Sequence, residues 1–175
     1  MILFTAVSIA QKDSSTNLTN SINLSVSYGG DFNLNPNYSF QIKRHDFSIG
    51  PTLMLFPWWF TTNRTITVSG INFNYQFHPF RKQNIFDFSL QYNLIYQHYY
   101  HDHEIESVSY NSFQNHLGFN NRIKLMKNYY VDLSMGIGNY YYQCNFHDFV
   151  TNKKSSRDYS HLSGIIKFGI GYNFN

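Results

Sequence analysis

Across 175 residues the chain carries 13 Lys and Arg against 10 Asp and Glu, a net charge of +3, and 19% of it is aromatic. Only 13% is charged, where soluble domains carry about a quarter, so much of the surface is not built for water. The cations stand in separate small groups (Lys43-Arg44, Arg81-Lys82, Lys124 with Lys127, Lys153-Lys154 with Arg157), which excludes the continuous basic stripe of a nucleic-acid-binding protein.

No apolar run approaches the roughly 20 residues of a membrane-spanning helix, and the lone Cys144 excludes an internal disulfide and a multi-thiolate metal site. Ile2–Ala10 is apolar and ends in Ser8-Ile9-Ala10 before Gln11, the pattern of a secretory h-region and cleavage site, although no Lys or Arg precedes it. Residues 1–10 are therefore expected to be a signal peptide with a shortened start. With no linker-like stretch, residues 11–175 read as one domain.

From Leu18 onward apolar and polar residues alternate with the period of a strand. The first segment, Leu18–Tyr28, sets Ile22, Leu24, Val26 and Tyr28 against Ser21, Asn23, Ser25 and Ser27. The second, Asn37–Lys43, alternates Tyr38, Phe40 and Ile42 with Ser39 and Gln41, and the third, Asp46–Phe56, sets Phe47, Ile49, Leu53 and Leu55 against Ser48, Gly50 and Thr52. In the fourth, Thr65–His78, the parity of Ile66 and Val68 opposes that of Ile71, Phe73, Tyr75 and Phe77, which predicts a bulge near Gly70. The fifth, Ile85–Tyr99, alternates Phe86, Phe88, Leu90, Tyr92, Leu94 and Tyr96 with Asp87, Ser89, Gln91, Asn93, Ile95 and Gln97. Phe113–Leu125, Tyr129–Tyr142 and His161–Phe174 follow as the sixth, seventh and eighth.

The connections Lys43–His45, Phe80–Asn84 and Met126–Asn128 are short, while Gly29–Pro36, Pro57–Arg64, Tyr100–Ser112 and Asn145–Ser160 read as longer loops. This rhythm is that of a transmembrane barrel with tight turns at one end. An even number of strands returns both termini to one side, expected to be the periplasm.

The polar stripe is mainly Asn, Ser, Gln, Thr and Gly instead of the Lys and Glu that solvate a soluble barrel. The apolar stripe is rich in Phe and Tyr, with Trp58-Trp59, Tyr99-Tyr100 and Tyr140-Tyr141-Tyr142 placed as interfacial girdles. The expected fold is an all-β, eight-stranded antiparallel up-and-down transmembrane β-barrel, with its polar face lining a lumen that side chains fill. The alternating segments and the ending Phe168-Gly-Ile-Gly-Tyr-Asn-Phe174 resemble the OmpA- and OmpX-like small outer-membrane barrels, departing from their pattern only by the trailing Asn175. The resemblance implies a place in a bacterial outer membrane, among lipid and lipopolysaccharide.

Several groups are candidates for chemistry. His98, His101, Asp102, His103 and Glu104 have the ligand types of a zinc or copper site, against the alternative of a solvated His-rich loop. His161 and Ser163 resemble the His-x-Ser element of outer-membrane lipid A deacylases, but no acid follows to orient the His and both fall on the inward parity. Asp87, Arg122, Lys124, Asp132 and Lys167 fall inward and are expected to form a lumen charge network, a gate or a satisfied plug. Lys153, Lys154 and Arg157 offer contacts for lipopolysaccharide phosphates.

Asn121, on the lipid-facing parity, and Pro51, inside a strand, break the pattern and mark either bulges or a surface covered by another protein. No cofactor motif is present. The functional expectation is a non-enzymatic outer-membrane barrel with a structural or accessory role, a subunit of a larger outer-membrane assembly for protein insertion, secretion or uptake. A lipid-modifying hydrolase and a surface metal-binding barrel stand as alternatives.

Overall fold

The computed structural model describes residues 18–29, 32–56, 67–80, 85–102 and 106–174. The leader, Trp58-Trp59, His103 and Glu104 lie outside these residues. Eight antiparallel strands follow one another as neighbours and close on themselves: β1 (Leu18–Tyr28), β2 (Phe32–Ile42), β3 (His45–Phe56), β4 (Thr67–Phe77), β5 (Phe86–Asp102), β6 (Glu106–Lys124), β7 (Tyr129–Asp148) and β8 (Lys153–Phe174). The closing seam pairs β1 with β8 from Asn20↔Phe174 to Tyr28↔Ile166.

The alternation in sequence becomes an inside and an outside. In β1, Ile22 and Leu24 are 50% and 52% exposed, while Ser21, Ser25 and Ser27 are 4%, 4% and 1% exposed. The same contrast runs round the barrel, with Leu90, Leu117, Ile137, Ile166, Phe168 and Ile170 outside and Asn35, Thr52, Ser89, Asn93 and Gln97 fully enclosed. This is the reverse of a water-soluble barrel, whose apolar side chains fill the middle, and it leaves an exterior that only an apolar surrounding satisfies.

Two proline positions are absorbed by one gap. The β2–β3 ladder is interrupted between Leu34↔Leu53 and Tyr38↔Ile49, the interval that holds Pro36 and Pro51, neither of which has an N–H to give. There a Cβ on Gly50 would fall 1.9 Å from the Pro36 carbonyl oxygen, so the close approach of the two chains requires a glycine. The bulge expected beside Gly70 is present, as the β3–β4 register steps from Thr52↔Gly70 to Leu53↔Val68 and leaves Ser69 over.

Two of the predicted loops are largely strand among the described residues. β5 and β6 stay paired to Asp102↔Ser107, and β7 and β8 to Asp148↔Lys153, whereas the flanking β4–β5 and β1–β8 ladders end at Gln97 and Ile166. Beyond that level β5–β8 stand as a projecting four-stranded sheet, and among the described residues the β8 edge from Lys153 to Ile165 has no ladder partner on its β1 side. Residues 100–112 and 145–160 carry no apolar stripe, because their outward faces have left the apolar belt, and so they read as loops. Gly29–Pro36 shrinks similarly, with β2 starting at Phe32.

Packing inside the lumen is tight enough to be tested at one glycine. A Cβ on Gly171 would lie 2.0 Å from the Tyr130 ring, while one on Gly164 would meet only the Gly136 carbonyl oxygen at 3.7 Å. Gly171→Ala should lower stability by about 1–3 kcal/mol, read as a lower urea midpoint in detergent micelles, and Gly164→Ala should leave the midpoint unchanged.

Candidate functional site

The lumen is organised around a guanidinium. Arg122 on β6 donates Nε to Asp132 Oδ1 at 2.8 Å and Nη2 to Asp132 Oδ2 at 3.2 Å, the two-pronged geometry that suits this pair. Its Nη1 reaches across to Asp46 Oδ2 on β3 at 3.1 Å, so one side chain ties opposite walls together. The guanidinium also lies 4.1 Å from the centre of the Tyr130 ring, whose hydroxyl donates to Ser21 Oγ at 3.2 Å.

Amides spread this arrangement along the axis. Asp132 accepts from Asn23 Nδ2 at 3.2 Å and from Asn120 Nδ2 at 3.3 Å, and Gln76 Oε1 accepts from Ser89 Oγ at 3.2 Å. Above them Lys167 Nζ donates to Asn93 Oδ1 at 2.9 Å, and Gln97 joins Asn33 at 2.9 Å and Gln114 at 3.3 Å. At the turn end Asp87 meets His78 Nδ1 at 3.0 Å. The free space left among these side chains is about 20 Å³, room for about one water molecule.

Of the charges expected inside, Asp87, Arg122, Asp132 and Lys167 all occur in the lumen, while Lys124 is exposed at the end of β6. Sequence reasoning missed Asp46, His78 and Tyr130. Asp46 has the inward parity of β3 and was legible; Tyr130 is aromatic, a type assigned to the lipid face.

His161 and Ser163 are not joined. Ser163 Oγ lies 2.8 Å from His116 Nε2 on β6, whereas His161 packs edge-on to Tyr140 at 5.2 Å. The lumen carboxylates Asp46, Asp87 and Asp132 are engaged with Arg122 and His78 instead of either histidine. His98 turns outward and shares a 2.7 Å contact with Asn111 Oδ1. Among the described residues no three His, Cys, Asp or Glu side chains gather as a metal site. Asn121 is exposed on the outer face between Phe88 and Leu133, and Pro51 is exposed on the outer face beside Ile71.

Across the seam the exterior carries a shallow groove of about 430 Å³ walled by Ile22, Leu24, Pro36, Tyr38, Ile170 and Tyr172, fit for an acyl chain or an apolar side chain. The projecting sheet differs from the belt below it. Its outward parity is mostly polar, with Ser109, Asn111, Gln143, Asn145, Lys154 and Ser156 beside Tyr100, Tyr141 and Leu162, and Lys153, Lys154 and Arg157 are all exposed. Its tip is closed by Asp148, whose Oδ1 accepts from Val150 N at 2.8 Å and Thr151 N at 3.0 Å, while Asn152 takes a left-handed φ of 52°. The Thr151 hydrogen bonds, with Val150 and Lys153 adding to them, hold the Asp148 carboxyl below its ordinary range.

No protein-family model and no curated protein matches the chain. Among solved structures, the N-terminal β-barrel domain of Pseudomonas aeruginosa OprF shares the fold with a TM-score of 0.58 at 8% identity, over 89% of this chain and 97% of that one. A major outer membrane protein from Thermus thermophilus gives 0.49 at 14% identity, over 90% and 100%. At such identities the likeness is one of fold: this is an eight-stranded barrel of the small outer-membrane type.

Two outcomes follow from these geometries. Arg122→Met takes the bridging guanidinium from between Asp46 and Asp132, leaving Lys167 as the remaining lumen cation near them among the described residues, and should cost about 3–5 kcal/mol of stability; adding Asp46→Asn and Asp132→Asn should restore most of it, both read from urea titrations in micelles. At the tip, a carboxyl with a depressed folded pKa lends stability above its ordinary value of about 3.9 and loses it as pH falls through the lower folded one. The Val150 and Thr151 amide resonances should therefore titrate together with a midpoint below about 3.9, and Asp148→Ala should abolish that titration.

Proposed function

We propose that the chain is a non-enzymatic integral protein of a bacterial outer membrane, a closed anchor with a structural or accessory role in a larger outer-membrane assembly for protein insertion, secretion or uptake. The observation that supports this is the filled lumen. With about 20 Å³ left around Arg122 and Lys167, that stretch of the lumen has no room for a passing solute, and the working surfaces in this reading are the outer wall and the projecting sheet. The groove at the β1–β8 seam, together with Asn121 and Pro51 on the exterior, gives neighbours in the membrane places to seat.

In this reading both termini are periplasmic, so the β5–β8 sheet rises on the outer side of the cell. Acyl transfer is disfavoured because Ser163 faces the lumen beside His116, with the nearby carboxylates committed elsewhere, and acyl chains run along the opposite face.

Extraction in mild detergent should yield a particle larger than one barrel with a reproducible companion; a strictly monomeric particle would count against the assembly. Orientation is checked separately with Thr151→Cys, since Cys144 is buried. A membrane-impermeant maleimide should label that variant on intact cells, and labelling only after lysis would reverse the topology.

A further inference from the structure

Where closure ends, the sheet exchanges its faces. Below that level the outward parity is apolar and the inward parity polar; above it the outward parity is mostly polar, Tyr100, Tyr141 and Leu162 apart, and the inward parity gains aromatic rings. Tyr99 of β5 stacks on Tyr110 of β6 at 4.5 Å and 14°. On the neighbouring pair of strands Tyr142 stacks on Tyr159 at 4.8 Å and 17°, and Tyr140 and Tyr142 pack against His161 at 5.2 and 6.1 Å. These are cross-strand neighbours on one face: Tyr99↔Tyr110, Tyr142↔Tyr159 and Tyr140↔His161.

Cross-strand aromatic pairs strengthen a sheet that has no second layer, but that alone asks neither for tyrosine nor for exposure. Tyr159 is 41% exposed and His161 is exposed, and a contiguous open patch of rings marks a surface built to be covered. Tyrosine is the aromatic side chain that presents a flat apolar ring with a polar handle and loses little freedom on binding. On the same face Arg157 and then Lys153 follow Tyr159 along β8, each two residues being a step of about 7 Å. Arg157 also extends over Phe146 at 5.9 Å, so the aromatic floor ends in a cation, with Lys153 beyond it beside its cross-strand neighbour Asp148.

We infer that this face is a binding platform for a free acidic polysaccharide: pyranose rings stack on Tyr142, Tyr159 and His161, and their carboxylates or phosphates meet Arg157 and Lys153. Three observations select that occupant. Flat rings with apolar C–H faces match the tyrosines, the cations match acidic substituents, and the platform turns toward the barrel axis, away from the headgroups of the surrounding leaflet. The inference deepens the anchor reading by giving the projecting sheet a ligand, and it rests on that reading only for the side of the membrane on which the ligand is met.

The test uses the full chain in detergent micelles, titrated by calorimetry with an alginate hexasaccharide, with maltohexaose of equal length, and with purified lipopolysaccharide. Alginate should bind, and maltohexaose should bind more weakly. Tyr159→Ala should weaken alginate binding about tenfold or more, Tyr159→Phe should keep most of it, and Arg157→Gln should narrow the preference for the acidic sugar. Lys154→Gln, on the opposite face, should change nothing. Absence of binding to alginate, equal affinity in a folded Tyr159→Ala, or binding of lipopolysaccharide alone would overturn the inference. Because the titration is done on purified protein, its failure is separable from failure of the Thr151→Cys labelling, which bears on topology alone.

Discussion

The pairing of β1 with β8 is the constraint on which everything else depends. Hydrocarbon offers no partner to an unpaired peptide group, each of which would cost several kcal/mol there, so the strands between Asn20 and Tyr28 and between Ile166 and Phe174 have to meet. Closure then divides every strand into a face for lipid and a face for the lumen, and the side chains obey. Where the seam ends at Tyr28↔Ile166, that obligation ends with it. The four longest strands continue as an open sheet, with polar residues on the face that lipid would otherwise have claimed.

Closure also dictates how the interior is filled. Eight strands enclose a space that side chains can bridge, and Arg122 bridges it, from Asp132 on the adjacent strand to Asp46 on the far wall. Buried charges of this kind are poor sources of net stability compared with apolar packing. They suit a lumen lined largely by amides and hydroxyls, because these charges have neutral donors and acceptors around them, as Asp132 has Asn23 and Asn120. The result is a mostly polar filling of the lumen, held by hydrogen bonds and ion pairs.

The barrel was legible in the sequence because its two faces differ so sharply in chemistry. β1 runs over the Leu18–Tyr28 read from alternation alone, and the parity break at Gly70 announced the bulge. The projecting sheet was not legible, since its outward face, with Ser109, Asn111, Gln143 and Asn145, has left the apolar stripe that marks the strands below, and its inward face mixes Val108, Tyr110, Tyr142 and Phe146 with Ser155, Arg157 and Lys153. Pro36 and Pro51 misled separately and make sense only as a pair. Within the lumen the inward charges could be listed, but their partners could not, because the pairings Arg122–Asp46 and His116–Ser163 join strands whose separation is set by closure and not by spacing in the chain. Of the tyrosines read as an interfacial girdle, Tyr100 and Tyr141 keep the outward face, whereas Tyr99, Tyr140 and Tyr142 belong to the inner side of the sheet.

The β8 edge from Lys153 to Ile165, which among the described residues has no ladder partner on its β1 side, has a geometric corollary. Two copies that extend one sheet in antiparallel fashion are related by a dyad perpendicular to it, and for a sheet standing on a barrel that dyad lies in the plane of the bilayer. Rotation about it turns a molecule upside down. Copies inserted with a common polarity therefore cannot pair β8 with β8 in antiparallel fashion, while copies in two apposed membranes meet in the right sense. Vectorial insertion thus does for β8 what inward charges and prolines do for the edges of soluble sheets.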